Sequence, residues 1–190
     1  MRGHTLLELV LGLGLLILLM VTMFAIFRLG ASAWKKGEAH ADLMHALQIT
    51  LAHCTRSVEQ SVYDGLALDP PGAPTGLSLI SSWDQANSEF DFDGTAGAPV
   101  WHRHVIIYYD AAQQEVLQRE LAIPPTTTAA PLATLSTERT GGRVLAREIT
   151  AFNCTLVGRE LTFNVEARKK RYGSNQPELL RLSSSIGFRN

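Results

Sequence analysis

The sequence predicts an α+β fold in which one long N-terminal helix packs on antiparallel β-sheet. Three observations carry this expectation. Leu6 to Phe27 is an apolar run of about 22 residues interrupted by one charge, Glu8. Met44, Leu47, Leu51, Cys54, Val58 and Val62 then recur at spacings of three and four, the stripe of an amphipathic helix. Beyond Asp69-Pro70-Pro71-Gly72-Ala73-Pro74 the period drops to two, as in half-buried strands.

The first run is long enough, at about 1.5 Å per residue, to cross a hydrocarbon layer of about 30 Å. Its apolar residues cover every face of the helix, unlike the one-sided stripe of a soluble surface helix. A cleaved secretory signal has a basic start, a shorter apolar core and a small-x-small cleavage site. Met1-Arg2-Gly3 is too slight a start and the run is too long, so a retained single span is expected. Thr5-Leu6-Leu7-Glu8 also fits a capping box, with Thr5 as N-cap and Glu8 reaching back to its backbone. Arg2 stands before the span and Arg28, Lys35 and Lys36 after it, a distribution that by itself argues against a cytoplasmic N-terminus.

Arg28 to Tyr63 is expected to continue the helix, with Gly30 and Gly37 as soft points. Asp42, His45, Gln48, Arg56, Glu59 and Gln60 form its solvated side. Unbroken from Thr5 to Tyr63, it would be a rod of about 90 Å. Asp64-Gly65 and the proline-rich segment end it and make a rigid, exposed connection. Leu77 to Trp83 and Glu89 to Phe92 then alternate like half-buried strands, and Val100 to Asp110 is rich in β-branched and aromatic residues. Glu115 to Leu121 reads as its return strand across Ala111-Ala112-Gln113-Gln114. Ile123 to Gly142 is expected to be a long mobile surface loop, and Val144 to Phe152 a short helix or a strand. Glu160 to Ala167 and Leu180 to Arg189 read as the last two strands, joined by a basic turn at Lys169-Lys170-Arg171.

A chain of 190 residues has room for the span and one domain of about 120 to 140 residues. The net charge of −1 creates no general field for a polyanion, so nucleic acid is not an expected partner. Two cysteines are too few for a disulfide scaffold and too far apart for a zinc knuckle. Cys54 lies in the helical stripe and Cys154 just after Phe152, so the two are candidates for a bridge. Closing a loop of about 100 residues, it would stabilise by about 4 to 5 kcal/mol in the chain-entropy picture; two buried free thiols are the alternative.

His102 and His104 share one face of a strand, a spacing that can chelate a transition metal, but no third ligand can be assigned. His45 and His53 fall near one face of the helix, where a solvated surface is the plainer account. Asp91-Phe92-Asp93-Gly94 has a trace of a calcium loop without the remaining oxygen ligands. Lys169-Lys170-Arg171 suits an acidic partner or lipid headgroups, or simply keeps a sheet edge soluble. No nucleophile elbow or phosphate loop is present. No enzyme, cofactor or metal is therefore expected.

Gly3-His4-Thr5-Leu6-Leu7-Glu8, leading straight into an apolar helix, resembles the processing site of the type IV pilin-like family. That family includes type IV pilins, type II secretion pseudopilins and competence pilins. The resemblance implies a leader of residues 1–3, cut by a prepilin peptidase between Gly3 and His4, with N-methylation of His4. The family usually has Phe where this chain has His4. It further implies residues 4–27 as a transmembrane and polymerisation helix in the bacterial cytoplasmic membrane, and residues 28–190 as an extracytoplasmic domain. The fifth mature residue would be Glu8, matched on assembly with a neighbouring subunit's N-terminus. Gly12 and Gly14 would allow close helix approach, and the partners would be other pilins or pseudopilins. Tyr108-Tyr109-Asp110 with Val116 to Glu120, the Leu145 to Phe152 segment and the ending Ser185 to Asn190 look more loosely like the J-type minor pseudopilins and W-type minor pilins. The expectation is a minor pilin or pseudopilin; a single-span receptor or adhesion domain that never polymerises is the alternative.

Overall fold

Helix α1 runs without a break from Leu6 to Glu59. At 1.5 Å per residue its 54 residues span about 80 Å. The computed structural model describes residues 5–84, 86–94, 97–170 and 177–188. Gly30 and Gly37 cause no interruption. The helix stops at the Gln60 cap rather than at Tyr63, and a single 3-10 turn at Tyr63–Gly65 follows it.

Three sheets follow. Strands β1 (Ala67–Asp69), β2 (Gly76–Ser81), β5 (Trp101–Asp110), β6 (Glu115–Thr126) and β7 (Arg143–Ala146) form an antiparallel five-stranded sheet in that order. Strands β3 (Trp83–Asp84) and β4 (Glu89–Phe90) make a two-stranded flap held by an edge-on contact of Trp83 with Phe90 at 5.1 Å. Strands β8 (Ile149–Val157), β9 (Glu160–Lys169) and β10 (Glu178–Gly187) form an antiparallel three-stranded sheet with β9 central. The β5–β6 hairpin has the expected register, Asp110 opposite Glu115 across the four-residue link.

The upper part of α1 lies chiefly on β9 and β10 and against β7. Its buried positions are Ala39, Leu43, Leu47, Thr50, Cys54 and Val58. Leu47, Cys54 and Val58 match the expected stripe, whereas Met44 and Leu51 are only half-buried and Val62 lies beyond the helix. Leu43 takes Met44's place because the buried line drifts along the helix as it crosses the sheet. These side chains meet Leu77, Leu79, Ile107, Phe152, Phe163 and Val165 in one core.

Three expectations for the sheet region are revised. Strand β2 is buried along its whole length, not on one face. A second apolar cluster, Ile106, Tyr108 and Leu135, covers the side of the five-stranded sheet away from the main core. The same cover corrects the expected mobile loop at 123–142. Its first residues extend β6, and Leu135–Glu138 forms a short helix, α2, whose Leu135 is buried. Arg139 then pins the segment, pairing with Asp69 Oδ2 at 3.0 Å and donating to Thr75 Oγ1 at 3.0 Å and the Tyr109 carbonyl at 3.3 Å. Gly142 closes it at φ +115°, where a Cβ would lie 2.6 Å from the Gln118 carbonyl oxygen, so only glycine fits. The expected element at Val144 to Phe152 is parts of two strands, β7 and β8, divided at Glu148, whose φ is +62°.

Candidate functional site

The most unusual surface is the first half of α1. Between Leu6 and Phe27 no large apolar side chain is less than half exposed; Leu16, at 53%, is the most covered. Exposure continues through Leu29 and Trp34, and the first residue buried by the domain is Ala39. Residues 28–38 therefore form a bare stem carrying Arg28, Lys35 and Lys36. A contiguous apolar surface of this extent is unstable in water and needs either lipid or other apolar helices around it. The helix is long and apolar enough to cross a membrane.

At its foot Thr5 is the N-cap and Glu8 completes a capping box. The Glu8 N–H donates to Thr5 Oγ1 and the Thr5 N–H to Glu8 Oε2, both at 3.4 Å. These are long, exposed bonds, at the weak end of the range, so Glu8 gives them up at little cost. Gly12 and Gly14, two residues apart and so on opposite sides of the helix, each have nothing within 4 Å of a built Cβ. Gly3 and His4, where cleavage and methylation are expected, lie outside the described residues.

The remaining candidates sit apart from this surface. His102 Nε2 is 2.8 Å from Asp91 Oδ2, joining β5 to the flap. His104 is buried with Nδ1 unpartnered, and burial lowers its pKa. No group of three histidine, cysteine, aspartate or glutamate side chains is placed to hold a metal ion among the described residues. His45 is exposed, while His53 is half-buried against Arg143, with Nε2 3.4 Å from a guanidinium nitrogen. The Asp93 N–H donates to the Ala98 carbonyl at 2.7 Å, beyond the flap. Lys169 is not a turn residue; it ends β9 and pairs with Asp42 of α1 at 2.9 Å and Glu148 at 3.5 Å, while Arg171 lies outside the described residues. Cys54 and Cys154 are both buried free thiols in the main core. Desolvation raises both pKa values, and the neighbouring Cys154 raises that of Cys54 further.

A further feature is a cleft between the upper end of α1 and strands β5 to β7. It is lined by Arg56, Arg103, Arg119 and Arg143. These arginines are scattered from 56 to 143, so no local motif announces them. No family model, curated protein or solved structure matches the chain.

Proposed function

We propose that the protein is a minor pilin or pseudopilin, a structural subunit that enters a type IV pilus or type II secretion pseudopilus through its N-terminal helix. The observation that carries the reading is one continuous helix, Leu6–Glu59, bare below Ala39 and core-forming above it. Such a helix gives a subunit two stable homes, a bilayer before assembly and a bundle of like helices afterwards. Neither requires the domain to refold. Glu8 then supplies register. Buried in an apolar bundle, a carboxylate and a mature N-terminal ammonium each cost several kcal/mol unless they pair across subunits. Leucine and valine packing adds adhesion without direction, and Gly12 and Gly14, on opposite sides of the helix, each let a neighbouring helix approach closely. The prepilin peptidase and the cytoplasmic membrane are the partners before assembly, and other pilins or pseudopilins afterwards.

A second reading, a single-span receptor or adhesion domain that does not polymerise, is favoured by the Thr5–Glu8 capping box, which accounts for Glu8 without any neighbour. Intact mass of the protein from membranes of cells with an active prepilin peptidase separates the two. The expected mass lacks Met1-Arg2-Gly3 and carries a methyl group on His4, and Gly3→Trp leaves the longer form. A mature protein that retains Met1 would exclude the pilin reading.

A further inference from the structure

The cleft against the upper end of α1 forms a second surface, and its chemistry does not depend on the filament reading. It encloses about 600 Å³, within the usual range for a ligand site. Its four guanidinium groups come from four elements, Arg56 on α1, Arg103 on β5, Arg119 on β6 and Arg143 on β7. Two are neutralised: Arg103 pairs with Glu120 at 2.5 Å, and Arg119 with Glu138 at 3.0 Å. The other two have no carboxylate partner among the described residues, and Arg143 meets only the His53 ring at 3.4 Å. The pKa of His53 is lowered first by burial, then by Arg143 and Arg56, as expected where positive charge is in excess. Trp83 and Val105 supply an apolar wall beside these cations.

An anion with two separated charges and an apolar part matches this lining. A single inorganic ion would leave most of the cavity and the Trp83 wall unused. A lipid headgroup is out of reach, because Arg56 stands roughly 44 Å along the helix above Phe27, several screening lengths from a bilayer surface. An extended polyanion meets Glu120 in the lining and a chain of net charge −1. We propose that this cleft binds an acidic peptide segment of a partner protein, with two carboxylates on Arg56 and Arg143 and an intervening apolar side chain on Trp83 and Val105. Planar, bidentate pairing of guanidinium with carboxylate gives the orientation as well as the attraction.

The test uses the full chain in neutral-lipid nanodiscs, titrated with a short end-blocked peptide of alternating glutamate and leucine and followed by calorimetry. Saturable binding that weakens with salt is expected. The double variant Arg56→Gln/Arg143→Gln should bind at least about tenfold more weakly, the loss expected when charge-assisted hydrogen bonds are removed. Both side chains reach solvent, so its melting temperature should match that of the unsubstituted protein. Trp83→Leu should weaken binding while leaving its salt dependence intact, and Arg181→Gln, on β10, should change nothing. Four results would overturn the proposal: no saturation below about 1 mM, equal binding by the double variant, equal binding of an alternating lysine and leucine peptide, or displacement by an equal concentration of inorganic phosphate. Arginine-dependent binding to anionic vesicles in place of the peptide would assign the cleft to lipid and overturn it too.

Discussion

Glu8 is the lone charge in a stretch that otherwise suits hydrocarbon from Leu6 to Phe27. In a bilayer it lies in the first turn and reaches the headgroups, so Glu8→Gln should insert and be processed normally. In the proposed filament, the amide cannot neutralise a neighbouring subunit's ammonium. An unpaired buried charge costs about 3 to 5 kcal/mol, so incorporation should fall by about two to three and a half powers of ten. Subunit in sheared filaments, measured against subunit in membranes at matched expression, reads this directly. Equal incorporation would leave Glu8 as a helix cap only. His104 makes the stability of the domain depend on pH. Burial holds its folded pKa below the unfolded value of about 6.5, so the unfolded chain binds the proton more readily. Its stability contribution is complete above that value and is lost as pH falls through the folded pKa. The melting temperature of His104→Leu should therefore fall less between pH 7.5 and 5.5 than that of the unsubstituted protein; parallel curves would show that His104 does not titrate on unfolding. Arg139 is a third residue with a distinct task. Arg139→Lys keeps the charge but loses the planar fork that reaches Asp69, Thr75 and the Tyr109 carbonyl together. A loss of about 2 kcal/mol is expected, with new protease cleavage between residues 127 and 142. An unchanged digest would mean that Leu135 alone holds the segment.

Among the elements, α1 carries two contrasting halves in one hydrogen-bonded rod. Leu47 is fully buried between helix and sheets, and Leu18 is 62% exposed. Leu47→Ala should cost about 2 to 5 kcal/mol by the usual cavity penalty, whereas Leu18→Ala should leave the melting temperature of the domain where it was. Thermal unfolding of both variants in the same detergent checks the pair. A large effect of Leu18→Ala would mean that the lower helix supports the domain, contrary to its lack of contacts. Strand β2 owes its complete burial to its central position, with β1 and β5 as neighbours, the main core on one face and the α2 segment on the other.

At the scale of the molecule, the domain closes on itself without the lower helix. The core begins at Ala39, and the ion pairs from Lys169 to Asp42 and Glu148 tie α1 to β9 and to the β7–β8 junction. Deleting residues through Phe27 should therefore leave a folded, water-soluble domain with an unchanged melting temperature. Leu29 and Trp34 remain exposed in it, so weak self-association at high concentration is expected and should vanish when the deletion reaches Lys36. Sedimentation and calorimetry of the two truncations test this. An unfolded product from either would place the lower helix inside the cooperative unit.

Local signals in the sequence determined what depends on neighbours within a few turns or one hairpin. The apolar run of α1, the capping residues Thr5 and Glu8, the β5–β6 hairpin and the last two strands all belong to that class, because periodicity and turn chemistry act over short separations. Tertiary structure decided what depends on residues far apart. Whether β2 is half-buried or sealed depends on Leu135, more than fifty residues later. Whether 127–142 floats or is held depends on Arg139 meeting Asp69, 70 residues before it. The cleft arginines, drawn from α1, β5, β6 and β7, become one positive surface only when the helix is laid across the strands. Their charges were legible one by one; their convergence required the fold, since Coulomb interaction depends on distance in space and not along the chain.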